Sequence, residues 1–258
     1  MASFESEKQE YAERLYRAYD NRQAVGKEQV PESLNPRLGY EIQQAVLARK
    51  EQQGEPLAGY KISLTSPETQ QLFNSGKPLY GALTAPAISG DAIELSSMLS
   101  PLIEIELMFL IQEDINADDS TTAILEKTLV APGIEVPDSR FTEWFPNITL
   151  GQVIADSAVA GRIVVGKPAK SRSYDQLDQV RGELFLDGEP VASGSSSEVL
   201  GHPVNAIKWL ATELEAHGLK LKRGLTVSSG TFILPKPLEK GRYEAKYEGI
   251  GSVELTVR

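Results

Sequence analysis

Apolar positions recur every three to four residues in the first part of the chain, which is the spacing of helices. In NPRLGYEIQQAVLARKEQQG, the positions Leu38, Ile42 and Val46 fall on one helical face. Farther along, short apolar runs separated by turn residues predict strands. We therefore expect an α-helical N-terminal region, residues 1–60, packed on a β-rich body, residues 61–258.

The body is expected to contain inserted helices and hairpins. SPETQQLFN predicts a helix with Ser66 as N-cap and Pro67 in its first turn, and STTAILEKTLV predicts another. HPVNAIKWLATELEAHG predicts a longer helix that ends at Gly218. Asp187 and Gly188, between two extended runs, predict a two-residue hairpin turn. GRYEAKYEGIGSVELTVR alternates like two antiparallel strands.

The net charge and composition of the chain limit the partners it can have and the type of metal site it can form. The formal net charge is −10 and the pI about 4.9, which argues against a nucleic-acid partner. The chain has no cysteine and only two histidines, so a metal site has to rely mostly on oxygen ligands, which suit Mg²⁺, Mn²⁺ or Ca²⁺. The charged N-terminus does not resemble a secretory signal, and no apolar run reaches the length of a membrane span. We expect a cytoplasmic protein without a membrane partner.

The segment PLIEIELMFLIQ contains the first candidate chemistry. If it is a strand, Glu104 and Glu106 point to one face, while Ile103, Ile105 and Leu107 point to the core. Two carboxylates on a half-buried face repel each other and lose hydration. The pattern leaves three explanations open: a solvated face, a salt bridge, or a divalent cation. The first two are the commoner in antiparallel strands.

Other residues in apolar surroundings add to this set. APGIEVPDSR contains Glu135, either a structural hydrogen-bond acceptor or a third ligand. Lys61, in GYKISLT, is either a snorkelling lysine or a desolvated base with a lowered pKa. VSSGTFILP places Ser229 and Gly230 in an ordinary turn or in a loop that receives a carboxylate. His202 opens a predicted helix, a position that is more often structural than catalytic.

Eight short motifs, taken in order, resemble a known family. They are GYKISLT, PLYGAL, IEIEL, PGIEVPDSR, IADSAVAG, LGHPVNAIKWLA, SSGTFILP and YEGIGSVEL. In this order the chain resembles the fumarylacetoacetate hydrolase superfamily, and within it the branch of 2-oxopent-4-enoate hydratases and 4-oxalocrotonate decarboxylases. The resemblance implies an α+β, β-rich fold, a mixed β-sheet roll like the C-terminal domain of fumarylacetoacetase. It also implies a helical N-terminal region and a homo-oligomer.

The resemblance implies that the β-rich body is the catalytic domain. It also implies that this domain contains a metal centre and a proton-transferring residue. The family's E-x-E falls on Glu104 and Glu106 and its later glutamate on Glu135, as ligands for Mg²⁺ or Mn²⁺. The family's strand lysine falls on Lys61, as the catalytic proton shuttle.

The resemblance also implies a set of substrate-binding residues. The loop that receives the substrate carboxylate falls near Ser229 and Gly230, and the family's helix-start motif includes His202. The segment PLYG adds Tyr80 and Leu79.

The activity that the resemblance implies is a metal-dependent lyase on a small 2-oxo or 2-hydroxydienoic acid. The first expectation is hydration of the 2-oxopent-4-enoate type, through an enolate that the metal stabilises. Leu79 departs from the acid that such hydratases tend to carry in the PLYG segment, which favours the alternative of a 4-oxalocrotonate-type decarboxylase. A non-catalytic binding member is a third alternative. A pathway enzyme is a possible further partner.

Overall fold

Two long helices form the N-terminal layer of the structure, a computed structural model that describes residues 2–169 and 172–258. They are α1, Ala2–Asp20, and α2, Pro36–Gln52. The Asn35 side chain caps α2 by accepting a backbone N–H bond at 3.0 Å. One side of α2 is buried against α1 and the body, as the spacing of its apolar positions predicts.

Shorter helices are inserted in the body. Those that the structure describes are α3, Pro67–Leu72; α4, Thr121–Glu126; α5, Trp144–Asn147; α6, Leu150–Ala155; α7, Tyr174–Leu177; and α8, Pro203–Ala216. Ser66 and Thr69 form a capping box on α3, His202 caps α8, and Gly218 follows α8 with φ +74°, as predicted for a helix end. None of the described helices has both the length and the apolar composition that crossing a membrane requires.

The described strands form two sheets. They are β1, Leu57–Ser63; β2, Leu79–Thr84; β3, Ile88–Ser89; β4, Ala92–Ile93; β5, Leu102–Ile111; β6, Thr128–Val136; β7, Arg162–Val165; β8, Arg181–Leu186; β9, Glu189–Ser195; β10, Thr226–Thr231; β11, Lys236–Pro237; β12, Gly241–Tyr247; and β13, Gly251–Val257. The larger sheet has the order β2-β1-β10-β5-β6-β7-β3, with β11 also on β5, and the smaller has the order β4-β13-β12-β8-β9. The larger sheet contains both parallel and antiparallel strand pairs, and helices are inserted between strands along the chain. This arrangement confirms the predicted α+β mixed-sheet fold.

The two hairpins predicted near the C-terminus are present. Asp187 and Gly188, at φ +51° and +89°, connect β8 to β9, and β12 pairs with β13. The boundary expected between residues 60 and 61 falls inside β1, so this strand links the N-terminal helices to the body. The division into two regions stays a prediction.

One predicted helix is wrong over its second half. STTAILEKTLV was expected to be helical throughout, but α4 ends at Glu126 and the last residues belong to β6. Thr128 pairs with Ile111 and Val130 with Phe109 on β5. Thr128 and Val130 are β-branched and pair with a buried central strand, and this pairing overrides the helical preference of the local sequence. The helix α6 was not predicted, although Thr149 and Gln152 form its capping box.

Four adjacent strands, β1, β10, β5 and β6, carry most of the candidate site residues. On β5, the residues that alternate with the glutamates form part of the main core, as predicted; Ile103, Ile105, Leu107 and Phe109 are fully buried. Because the other face of β5 is also covered, the glutamates do not face solvent.

Candidate active site and metal centre

Three glutamate side chains converge on one face of the larger sheet. Glu104 and Glu106 lie two residues apart on β5, and Glu135 on β6 is the register partner of Glu104. Residues directly opposite each other in an antiparallel pair project to the same face. One oxygen from each carboxylate lies within 4.8 Å of the other two. The three residues are 7%, 1% and 1% exposed, which rules out a solvated face as the reason for the glutamates.

Lys61 adds a positive charge to the three carboxylates. It lies on β1, and its Nζ atom is 2.6 Å from Oε1 of Glu135. Both side chains are almost completely buried, at 2% and 1% exposure. One ammonium against three carboxylates leaves the cluster short of positive charge when all four groups are ionised. Burying such an imbalance is costly unless another cation or protons neutralise it.

Burial and mutual repulsion shift the pKa values in this cluster. Burial, followed by Glu135, raises the pKa of Glu104 to about 8, against the opposing effect of Lys61. Burial and the other two carboxylates raise the pKa of Glu106 well above its ordinary range. For Lys61, burial alone would lower the pKa, but the three carboxylates raise it above the ordinary value. Neither of the two alternatives for Lys61 fits this environment, since its pKa is raised rather than lowered and its buried side chain does not snorkel to solvent.

The carboxylate of Glu106 is fixed by two donors from β10. Its Oε2 atom accepts a hydrogen bond from Ser228 Oγ at 2.5 Å and one from the Gly230 amide at 2.8 Å. Gly230 has φ +122°, and a Cβ atom there would lie 2.5 Å from Thr65 Oγ1, so only glycine fits without displacement. With Oε2 held in this way, the other oxygen of Glu106 is left to face Glu104 and Glu135.

The donor set fits a divalent cation of the hard, oxygen-binding kind. Oε2 of Glu135 is buried and has no hydrogen-bond partner among the described residues. An unpaired buried carboxylate oxygen is unfavourable unless something compensates it. Three carboxylates with substrate or water oxygens would satisfy the coordination that Mg²⁺, Mn²⁺ or Ca²⁺ takes.

A cavity opens from this cluster toward the protein surface. Lys61, Glu104 and Glu106 lie at its inner end. Most of the remaining wall is apolar, and it includes residues from β1, from the end of α3, and from α5 and α6. This wall includes Phe73 and Phe145, which the sequence reading did not single out because scattered aromatic residues look like ordinary core positions.

The structure does not bring all the predicted substrate-binding residues to this cavity. Tyr80 pairs with Ile62 and so projects to the face opposite Lys61, where its hydroxyl lies 2.7 Å from Nδ1 of His217. Leu79 pairs with Ser63, on the face of Lys61, and is buried.

Ser229 and His202 also lie apart from the cavity lining. Ser229 is fully buried, and its Oγ atom has no partner among the described residues. Nδ1 of His202 accepts a bond from the Val204 amide at 3.2 Å, so Nε2 carries the proton and donates it to the Tyr174 carbonyl at 3.0 Å. His202 therefore uses both nitrogens in bonds to the backbone, one at the start of α8 and one at the start of α7. Gly230 does reach the site, but its amide contacts Glu106.

Ser228 is expected to act as a positioning residue for Glu106. The Ser228→Ala variant should bind Mg²⁺ or Mn²⁺ about 10- to 100-fold more weakly, because Glu106 loses one of its two donors. The neighbouring Ser229→Ala change removes a hydroxyl without a described partner and should leave cation affinity unchanged. Isothermal titration calorimetry measures both, and equal affinities in the two variants would contradict this role.

Cation binding should release protons at neutral pH. With its pKa raised to about 8, Glu104 is mostly protonated at pH 7 in the cation-free protein, and a ligand has to be ionised. We expect at least one proton released per cation at pH 7, and affinity that increases as pH rises from 6 to 8. Calorimetry in two buffers of different ionisation enthalpy counts the protons. A count of zero at pH 7 would mean that the carboxylates are already ionised.

The fold is that of the fumarylacetoacetate hydrolase superfamily, and its buried acidic triad can hold a divalent cation. The 4-oxalocrotonate decarboxylase from Pseudomonas putida G7, solved with magnesium and adipate, matches over 98% of each chain with a TM-score of 0.89 and 25% identity. The fumarylpyruvate hydrolase from Pseudomonas aeruginosa, solved with Mn²⁺ and pyruvate, matches 79% of this chain and 90% of its own, with a TM-score of 0.62 and 15% identity.

Sequence comparison narrows the family. The chain is 35% identical to the 2-keto-4-pentenoate hydratase of Paraburkholderia phymatum, over 95% of each chain. It is 31% identical to the 2-hydroxyhexa-2,4-dienoate hydratase of Comamonas testosteroni, over 84% of each. No protein-family model matches the sequence. The chain belongs to the 2-keto-4-pentenoate hydratase family. This membership confirms the predicted resemblance and makes the protein an enzyme, so the non-catalytic alternative is set aside.

Proposed function

We propose that this enzyme adds water to a small 2-hydroxy-2,4-dienoic acid, with Mg²⁺ or Mn²⁺ held by Glu104, Glu106 and Glu135. The observation that carries the proposal is the cluster of three buried carboxylates and a buried lysine, of which Lys61, Glu104 and Glu106 line one cavity. Of the two similar proteins named above, one is a hydratase of 2-hydroxyhexa-2,4-dienoate and the other of 2-keto-4-pentenoate, a tautomer of 2-hydroxypenta-2,4-dienoate. A bound divalent cation would supply Lewis-acid polarisation of the substrate's 2-oxygen.

The residues of this chain would contribute position and proton transfer. Glu106, held by its two donors from β10, keeps a fixed orientation, so the acidic end of the cavity is preorganised. Lys61 lies at the same end, and its Nζ atom carries a proton that it can give to a substrate carbon or oxygen and recover later. Because the cavity walls are apolar, they exclude bulk water from the reacting groups. Only the water molecule that adds to the substrate needs to enter.

Hydration balances without a further reactant. The dienol first becomes the conjugated 2-oxo-3-enoic acid by moving a proton from the 2-hydroxyl to C5. Water then adds its oxygen to C4 and a proton to C3, which yields a 4-hydroxy-2-oxo acid. The first step needs a group that holds and moves a proton, which is the role proposed for Lys61.

A decarboxylase of the 4-oxalocrotonate type is the second candidate. Leu79 favours it, because a buried leucine lies on the face of Lys61 where such hydratases tend to carry an acid. The close match in fold to a solved decarboxylase points the same way. We keep hydration first because hydratases match the sequence more closely. The homo-oligomer and the pathway-enzyme partner stay predictions.

The test is direct turnover with purified protein and Mg²⁺. One reaction contains 2-hydroxypenta-2,4-dienoate and the other 2-oxohex-3-enedioate; loss of the conjugated chromophore and release of CO₂ are followed in each. Loss of dienoate with formation of 4-hydroxy-2-oxopentanoate is the expected result. CO₂ release from the diacid without dienoate turnover would replace the hydratase with the decarboxylase. Neither reaction, with no thermal shift on adding Mg²⁺, would overturn both.

A further inference from the structure

The charge of the cavity is confined to its inner end. Apart from Lys61, Glu104 and Glu106, none of the described residues that line it carries an ionisable side chain. The wall away from the acids includes Leu64, Phe73, Trp144, Phe145 and Val159. An apolar wall of this kind gains free energy from contact with hydrocarbon and loses it when a charged group displaces water there.

The outer part of this wall comes from two short segments that approach each other. Leu72 and Phe73 end α3, and Phe145 belongs to α5. The rings of Phe73 and Phe145 are 6.3 Å apart between centroids, within the range of aromatic contact. Leu72 is 45% exposed, so the apolar wall reaches the protein surface at this residue.

The hydroxyl groups of the cavity offer little to an anion at this outer end. Thr69 donates its hydroxyl hydrogen to the Ser66 carbonyl at 3.0 Å. Thr231, which donates to the Ile233 carbonyl at 2.7 Å, is the register partner of Glu106. Ser63 shares the face of Lys61, so Thr231 and Ser63 both belong to the inner end. Thr65 lies beside Gly230, next to the carboxylate of Glu106 and so at the inner end. A carboxylate at the outer end would therefore lose water without gaining donors.

We infer that Phe73, Phe145 and Leu72 form an apolar specificity wall that selects substrates with an uncharged alkyl end and rejects those with a second carboxylate. The inference rests on the proposed function, which puts the carboxylate and 2-oxygen of the substrate at the acidic end of the cavity. The rest of the molecule then extends along the apolar wall. Alkyl-substituted dienoates gain contact area as they lengthen, while diacids bury an uncompensated charge.

The apolar specificity wall can be tested by measuring the binding of saturated 2-oxo acids, which the proposed reaction does not consume. In the presence of Mg²⁺, calorimetry compares 2-oxohexanoate with 2-oxoadipate, which have equal chain length and differ in a terminal methyl or carboxylate. We expect 2-oxohexanoate to bind at least about 100-fold more tightly, since an uncompensated buried carboxylate is strongly disfavoured. Equal binding, or tighter binding of 2-oxoadipate, would overturn the wall while leaving the proposed function standing. If Mg²⁺ binds but neither acid does, both ideas fail.

A charge introduced into the wall should reverse the preference. Phe73→Arg puts a cation at the outer end and should raise 2-oxoadipate affinity at least 10-fold relative to 2-oxohexanoate. Leu72→Arg, at an exposed site, serves as the second variant and covers the case in which Phe73→Arg does not fold. Gln53→Arg adds the same charge at an exposed position after α2 and should leave the ratio unchanged. A ratio that stays at the wild-type value in every folded wall variant would overturn the inference.

Discussion

Replacing Glu106 with glutamine is expected to lower kcat/KM by at least about 10³-fold and to abolish the thermal shift that Mg²⁺ produces. Glu106 is the carboxylate with the most fixed orientation, held by Ser228 and Gly230. Glutamine has the same shape, and its amide oxygen can accept both of these bonds. The change therefore removes the charge and leaves the geometry in place.

The same variant separates loss of charge from loss of folding. Burial and the other two carboxylates hold the pKa of Glu106 well above its ordinary range, which favours the protonated form that glutamine imitates. A carboxyl whose pKa is raised by folding destabilises the folded state progressively as pH rises from the ordinary carboxyl pKa toward the raised one, because the unfolded chain ionises first. Glutamine does not titrate, so the melting temperature of the cation-free variant should increase relative to wild type as pH rises above the ordinary carboxyl range.

Differential scanning calorimetry with and without Mg²⁺, together with initial rates, measures these effects. Glu113→Gln is the matched control, since Glu113 follows β5 and is exposed, and it should change neither rate nor Mg²⁺ shift. An active Glu106→Gln enzyme with a normal Mg²⁺ shift would remove this carboxylate from the proposed ligand set.

The face shared by Glu104 and Glu106 could be predicted from sequence because it depends only on strand periodicity. Predicting that Glu135 and Lys61 lie beside this pair required knowledge of the strand order in the sheet. Local sequence patterns do not contain that information. The motif resemblance supplied that order. The long-range pairs β1–β10 and β10–β5 show how much of the site depends on it.

Side-chain direction around irregular strands could not be predicted. The register of β10 on β5 shifts between Ser228 and Thr231, so the bulge decides which serine faces Glu106. The resemblance named Ser229 for the substrate carboxylate, and it did not single out Ser228, which contacts Glu106. Tyr80 likewise follows the alternation of β2 away from Lys61, although it is next to Leu79, which shares the face of Lys61. A motif names neighbouring residues without saying which of them faces the cavity.

Replacing Lys61 with methionine or arginine is expected to lower kcat by about 10²- to 10⁴-fold in both cases, because methionine carries no proton to transfer and arginine holds its proton far more tightly than lysine does. The two variants should differ in stability and in cation affinity. Methionine removes the partner of Glu135 and should destabilise the cation-free protein by about 3 kcal/mol. Arginine keeps the charge and should melt closer to wild type.

Cation affinity gives the second distinction between these variants. Without the ammonium group, Glu135 is free to contact a cation and nothing positive opposes it, so Lys61→Met should bind Mg²⁺ more tightly than wild type. Lys61→Arg should bind it about as wild type does. Lys77→Met, which removes an exposed ion pair with Glu213, controls for charge loss elsewhere. A Lys61→Arg enzyme within tenfold of wild-type kcat would show that Lys61 acts through its charge alone and that the transferred proton comes from another group.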